Sequence, residues 1–172
     1  MKMTLLIYLI LILAAVQCLY YAPQLPDVVA SHFDAQNQPD GWCSKSEFIN
    51  LYLILMGGLA ILFVMMGGLM RHLPNTVINL PNKDYWLAPE RSETTMNVIQ
   101  REMHLMAVFT LLFLMIVVEL IFRANLNPPP VLPGVAFWSI LGIFMAFTVG
   151  WGIRFVVIFS SVPEGSNPSS TS

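Results

Sequence analysis

The chain has 172 residues, of which 56% are hydrophobic and only 10% charged. A soluble domain carries about a quarter charged residues, so an ordinary water-soluble globule is excluded. The net charge of −2 comes without any basic run, which speaks against a nucleic-acid partner.

Four apolar segments are each long enough to cross about 30 Å of hydrocarbon as a helix of about 20 residues. They cover about residues 3–22, 48–70, 103–122 and 135–159. Backbone groups must be paired inside lipid, and no alternation of a closed barrel is visible, so the spans are expected to be helices. The fold class is therefore an all-α integral membrane protein. Residues 1–160 are expected to form a single four-helix membrane domain and residues 161–172 a disordered tail rich in serine.

The first span reads as an uncleaved anchor, because Gln17 spoils both a signal-peptidase site and a lipoprotein site around Ala15 and Cys18. A polar stretch follows. It holds Leu25, Pro26, His32, Phe33, Pro39, Asp40, Gly41, Trp42 and Lys45, and these are the candidate ligand-contact residues. Pro39-Asp40-Gly41 reads as a tight turn, since proline presets φ and glycine accepts a positive one. Ser44 is expected to cap the second helix, with Glu47 as its capping-box partner. In that helix Gly57 and Gly68 are eleven residues apart, which places them on one face for close helix packing.

The next loop carries turn residues and then Trp86, Pro89, Glu90 and Arg91, a candidate contact for a cytoplasmic protein. Proline and acidic residues at a first turn mark a helix start. The third span is accordingly expected to begin at about residue 89 as a cytoplasmic extension and to continue unbroken into the membrane. Glu119 and Arg123 are four apart and can pair on one helix face. Gln17 lies at similar depth, so Gln17, Glu119 and Arg123 form a candidate polar pocket, roofed by the loop that carries His32. The fourth span has Gly142, Ala146 and Gly150 at spacings of four, again a small-residue stripe. Such glycine-rich faces also offer a route to an oligomer.

Lysine and arginine placement sets the orientation. With both termini inside, Lys2, Arg71, Lys83, Arg91, Arg101 and Arg154 lie on the inner side and only Lys45 and Arg123 on the outer. The polar stretch is then extracytoplasmic. Arg154 is expected to reach the inner headgroups. Cys18 and Cys43 lie on the same side, which leaves a disulfide open. His32 with Asp27, Asp34 and Asp40 supplies donors suited to zinc or manganese, but at no established ligand spacing. No metal or cofactor is expected. No nucleophile–base pair, phosphate loop or zinc-protease motif occurs, which argues against a hydrolase or ATPase.

Leu25-Pro26, His32-Phe33, Pro39-Asp40, Gly41-Trp42 and Ser44-Lys45 resemble the bacterial membrane family called domain of unknown function 1648, over about residues 9–63. The chain departs from the family pattern at Asn37 and Cys43, where glycines are usual. Residues 86–91 resemble a second block of that family. The resemblance implies a bacterial cytoplasmic membrane, and its distant relatives include SdpI-type immunity proteins, which protect their producer from a toxic peptide and sequester a repressor. It suggests a non-enzymatic receptor-like, immunity or signalling protein that contacts an extracytoplasmic peptide or small ligand outside and a protein partner inside. A small transporter or accessory subunit using Glu119 and Arg123 is the alternative. A membrane enzyme built on His32 and its aspartates is the weaker one.

Overall fold

The computed structural model describes residues 2–162. The elements run α1 (Lys2–Tyr21), β1 (Val28–Phe33), β2 (Pro39–Ser44), α2 (Lys45–Leu69), a 3-10 turn (Met70–His72), α3 (Lys83–Trp86), α4 (Pro89–Asn125) and α5 (Gly134–Ser160). Four of these helices are long and apolar enough to cross a membrane. The expected spans agree with them to within three residues, and α4 starts at residue 89, where the extension of the third span was expected to begin. The expected disordered tail lies outside the described residues, apart from Ser161 and Val162.

Three helices make the core. Ile7, Ile10, Ala14 and Cys18 of α1 meet Phe48, Tyr52, Met56 and Ala60 of α2, and both rows close on Ala107, Val108, Leu111, Val118 and Phe122 of α4. The spacings of three and four put each row on one helix face. Phe122 is fully buried, with the rings of Tyr21, Phe48 and Tyr52 at centroid distances of 4.9, 5.7 and 6.4 Å. The large apolar side chains on the other faces, such as Ile12, Leu19, Ile54 and Ile61, are exposed. That pattern suits lipid, where packing rather than water exclusion joins helices.

Helix α5 stands outside this core and packs along α4. Phe147 stacks on Phe109 at 3.7 Å between centroids and Phe144 on Phe113 at 4.3 Å. The glycine stripe does not mediate this contact. A Cβ added at Gly142 or Gly150 would meet nothing within 4 Å, because the aromatic face turns to α4 and the small-residue face turns away. The same correction applies to α2. Gly57 and Gly68 face open space, whereas a Cβ on Gly67 would stand 3.2 Å from Gln100 Cγ. The close approach of α2 and α4 therefore falls one residue from the expected position.

Helix α4 is one unbroken element of 37 residues, with Pro89 in its first turn. At 1.5 Å per residue it measures about 55 Å, well beyond the hydrocarbon thickness of about 30 Å. Its first turns are not bare. Met96 and Ile99 pack with Ile78, Leu80, Leu87 and Phe159 in a second apolar cluster, which folds the α2–α4 connection around the end of α5. Asn82 Nδ2 and Trp86 Nε1 donate to the Phe159 carbonyl at 3.2 and 2.8 Å and so satisfy a helix end.

Between α1 and α2 the chain forms an antiparallel hairpin, a feature the all-α expectation left out. Val28 pairs with Ser44, Val29 with Cys43 and Ala30 with Trp42, and the register then shifts so that His32 faces Gly41 and Phe33 faces Pro39. The turn is not Pro39-Asp40-Gly41, which lies in β2. It is the segment before it: Asp34 Oδ1 accepts from the N–H groups of Gln36 and Gln38 at 2.9 and 2.8 Å, and Asn37 takes a φ of 64°. An Asx turn with a left-handed residue reverses the chain by itself, which leaves the proline free to begin a strand. Gly41 serves close approach instead, since a Cβ there would lie 2.8 Å from His32 Cβ.

Candidate functional site

The hairpin sits on the end of the bundle as a fixed cap. The buried Asn125, the last residue of α4, imitates a neighbouring strand: Ala30 N–H donates to its Oδ1 at 2.7 Å, and its Nδ2 donates to the carbonyls of Ala30 and Ile121 at 3.0 and 2.9 Å. The hairpin tip is held by Leu132 N–H, which donates to the Asn37 carbonyl at 3.1 Å. At its base, Lys45 Nζ donates to the Leu25 carbonyl at 3.1 Å and lies 3.5 Å from Asp27 Oδ1. The Ser44–Glu47 capping box is present as expected: Glu47 N–H donates to Ser44 Oγ at 3.2 Å, and Ser44 N–H donates to Glu47 Oε2 at 2.9 Å. His32 pairs with Asp40 on the exposed face of the hairpin, and Trp42 is 53% exposed. Leu25 is buried and anchors the hairpin in the core.

Beneath the hairpin, between α1 and α4, Glu119 gathers three donors. Tyr21 Oη donates to its Oε1 at 2.6 Å, Arg123 Nε to the same oxygen at 2.6 Å, and Gln17 Nε2 to Oε2 at 2.8 Å. Tyr52 of α2 donates to Gln17 Oε1 at 2.9 Å, so one network ties three helices together. A carboxylate at this depth requires such company. The network heads an open groove of about 550 Å³ whose other walls are Leu13, Val16, Tyr20, Met115 and Ile116. Arg123 closes the groove at the hairpin end with its side chain 68% exposed.

Gln17, Glu119 and Arg123 thus come together, with Tyr21 and Tyr52 added. The tyrosines were hidden because an aromatic at a span end reads as a headgroup anchor. His32 does not line the groove. Its side chain pairs with Asp40 on the exposed face of the hairpin, so the hairpin caps this end of the bundle without contributing His32 to the groove. Trp86 and Arg91 of the opposite loop make internal contacts: Trp86 caps α5, while Arg91 Nε donates to the Tyr85 carbonyl at 3.0 Å and its guanidinium stacks 4.1 Å from the Tyr85 ring. Glu90 is exposed and pairs with Arg91 at 3.1 Å, and Pro89 starts α4. Cys18 and Cys43 are free thiols. Among the described residues no three His, Cys, Asp or Glu side chains gather as a metal site would need.

Arg154, expected at the inner headgroups, has a half-exposed side chain and a partner that the sequence reading did not name. It pairs with Glu102 of α4, which is 1% exposed and also accepts from Arg101. The one sequence signal was an arginine inside an apolar run, which calls for a partner.

Four apolar helices, a hairpin cap and a polar network set within the spans define a multi-pass membrane protein with a structured loop between its first two helices. Residues 9–56 match the family model described as Domain of unknown function (DUF1648), and the match runs from the middle of α1 through the hairpin into α2. No curated protein and no solved structure matches the chain. The matched region includes Gln17, Tyr21, Tyr52 and the whole hairpin, while Glu119, Arg123 and Asn125 lie outside it on α4.

Proposed function

We propose that the protein is a non-enzymatic, receptor-like membrane protein of the immunity or signalling kind. In this reading both termini are cytoplasmic in a bacterial cell membrane, the hairpin is extracytoplasmic, and the hairpin and the α1–α4 groove together receive a peptide or small amphiphile. One observation carries the reading. Among the described residues the only charged groups that line the groove, Glu119 and Arg123, stand at its hairpin end, and its remaining length is largely apolar. That division matches a ligand with a polar head and an apolar body. The exposed Trp42 offers an aromatic anchor on the hairpin. Contact with a cytoplasmic partner would fall on the exposed start of α4 around Glu90, since Trp86 and Arg91 are engaged internally.

The test is survival of cells that lack or express the protein when challenged with membrane-active peptides. Expression is expected to protect against at least one peptide, and Arg123→Gln and Trp42→Ala each to reduce protection about tenfold, the scale of one interface anchor. Equal survival of wild type, both variants and the deletion across the panel would contradict the proposal. A transport role is favoured by a different observation, the partly exposed carboxylate of Glu119 inside a span. It predicts solute flux into proteoliposomes that Glu119→Gln abolishes, whereas a receptor carries no flux.

A further inference from the structure

The end of the bundle opposite the hairpin holds a second carboxylate that the groove does not use. Glu102 of α4 is 1% exposed, and its Oε1 accepts from Arg101 Nη2 at 3.1 Å while its Oε2 accepts from Arg154 Nη1 of α5. Two guanidiniums against one carboxylate leave one positive charge over. Both arginine side chains are about half exposed, at 58% and 47%. Among the described residues neither pairs with another acid. A guanidinium has five N–H donors, and each of these has one engaged with Glu102.

The surroundings say which anion is at hand. Arg154 lies six residues before the end of α5, about 9 Å along the helix axis. Its neighbours Ile153, Val156 and Val157 are exposed and apolar, as lipid-facing residues are. In a bilayer spanned by α5 the surplus charge would stand beside acyl chains, within reach of headgroup phosphates. Guanidinium forks match phosphate oxygens bidentately. The buried carboxylate orders two long side chains next to each other before any ligand arrives, which removes much of the entropy cost of binding.

We propose that Arg101 and Arg154, set side by side by Glu102, bind the headgroup phosphate of an anionic phospholipid in the leaflet at the α2–α4 loop. Glu102 is the positioning residue and the two arginines make the contact.

The full chain, reconstituted with equal parts phosphatidylglycerol and phosphatidylethanolamine and released into the gas phase, is expected to retain phosphatidylglycerol preferentially. Arg101→Gln should lower that preference about fivefold, the effect of one basic residue at a membrane surface. It leaves Glu102 paired with Arg154, so folding is preserved. Arg154→Gln should do the same, and if it fails to fold, Arg101→Gln decides. Lys83→Gln, which removes the same charge from the exposed start of α3 at that end, should leave the preference intact. Added inorganic phosphate should not displace the lipid. The proposal is overturned by equal retention of both lipids, by an unchanged preference in Arg101→Gln, by an equal loss in Lys83→Gln, or by displacement with inorganic phosphate.

Discussion

Asn125 gives its side-chain oxygen to the Ala30 N–H and its nitrogen to the Ala30 carbonyl, so one buried amide does the work of a third strand. Asn125→Ala leaves those two backbone groups unpaired. Orphaned buried polar groups cost about 1–3 kcal/mol each, so the variant should unfold at lower temperature in detergent and expose the amides of β1 to fast hydrogen exchange. Unchanged protection at Ala30 would contradict this role. Glu119 and Arg123 were legible from the sequence because opposite charges four apart in an apolar run fall on one helix face and are costly in lipid unless they pair. Asn125 was not, since an asparagine three residues before Pro128 reads as an ordinary turn residue. Glu102 was concealed in a different way: it lies where a surface helix was expected to enter the membrane, and a charge there is ordinary.

At the scale of elements, hydropathy placed all four spans, and proline with acidic residues placed the start of α4. The hairpin was visible only as a polar island. Its strands are short, and Asn37 does the turning where the family pattern has glycine, in the left-handed region that asparagine tolerates best after glycine. Helix faces were harder. Glycine spacing locates a face, but it does not say whether that face meets protein or lipid. A pair of variants separates the two cases. Gly67→Val places atoms against Gln100 and should destabilise the α2–α4 contact by about 1–3 kcal/mol, the usual cost of overpacking. Gly57→Ala enters open space and gains helix propensity, so its thermal midpoint should hold or rise.

In the whole molecule two charged clusters mark the two ends of the bundle. Glu119 with Arg123 stands near the hairpin and Glu102 with Arg101 and Arg154 near the α2–α4 loop, and the span between them is apolar. Helix α4 carries both, while the region that matches the family model covers the hairpin and the adjoining parts of α1 and α2. The arrangement has a direction, and the proposed function depends on it: hairpin and groove must face the extracytoplasmic side. Cysteine labelling reads this directly. In a Cys18→Ala, Cys43→Ala background, Gln36→Cys reports the exposed hairpin tip and Asp84→Cys the opposite loop. A membrane-impermeant maleimide applied to intact cells, with any outer envelope made permeable, should label Gln36→Cys at once and Asp84→Cys only after lysis. Labelling of Asp84→Cys on intact cells, with Gln36→Cys silent until lysis, would contradict the account.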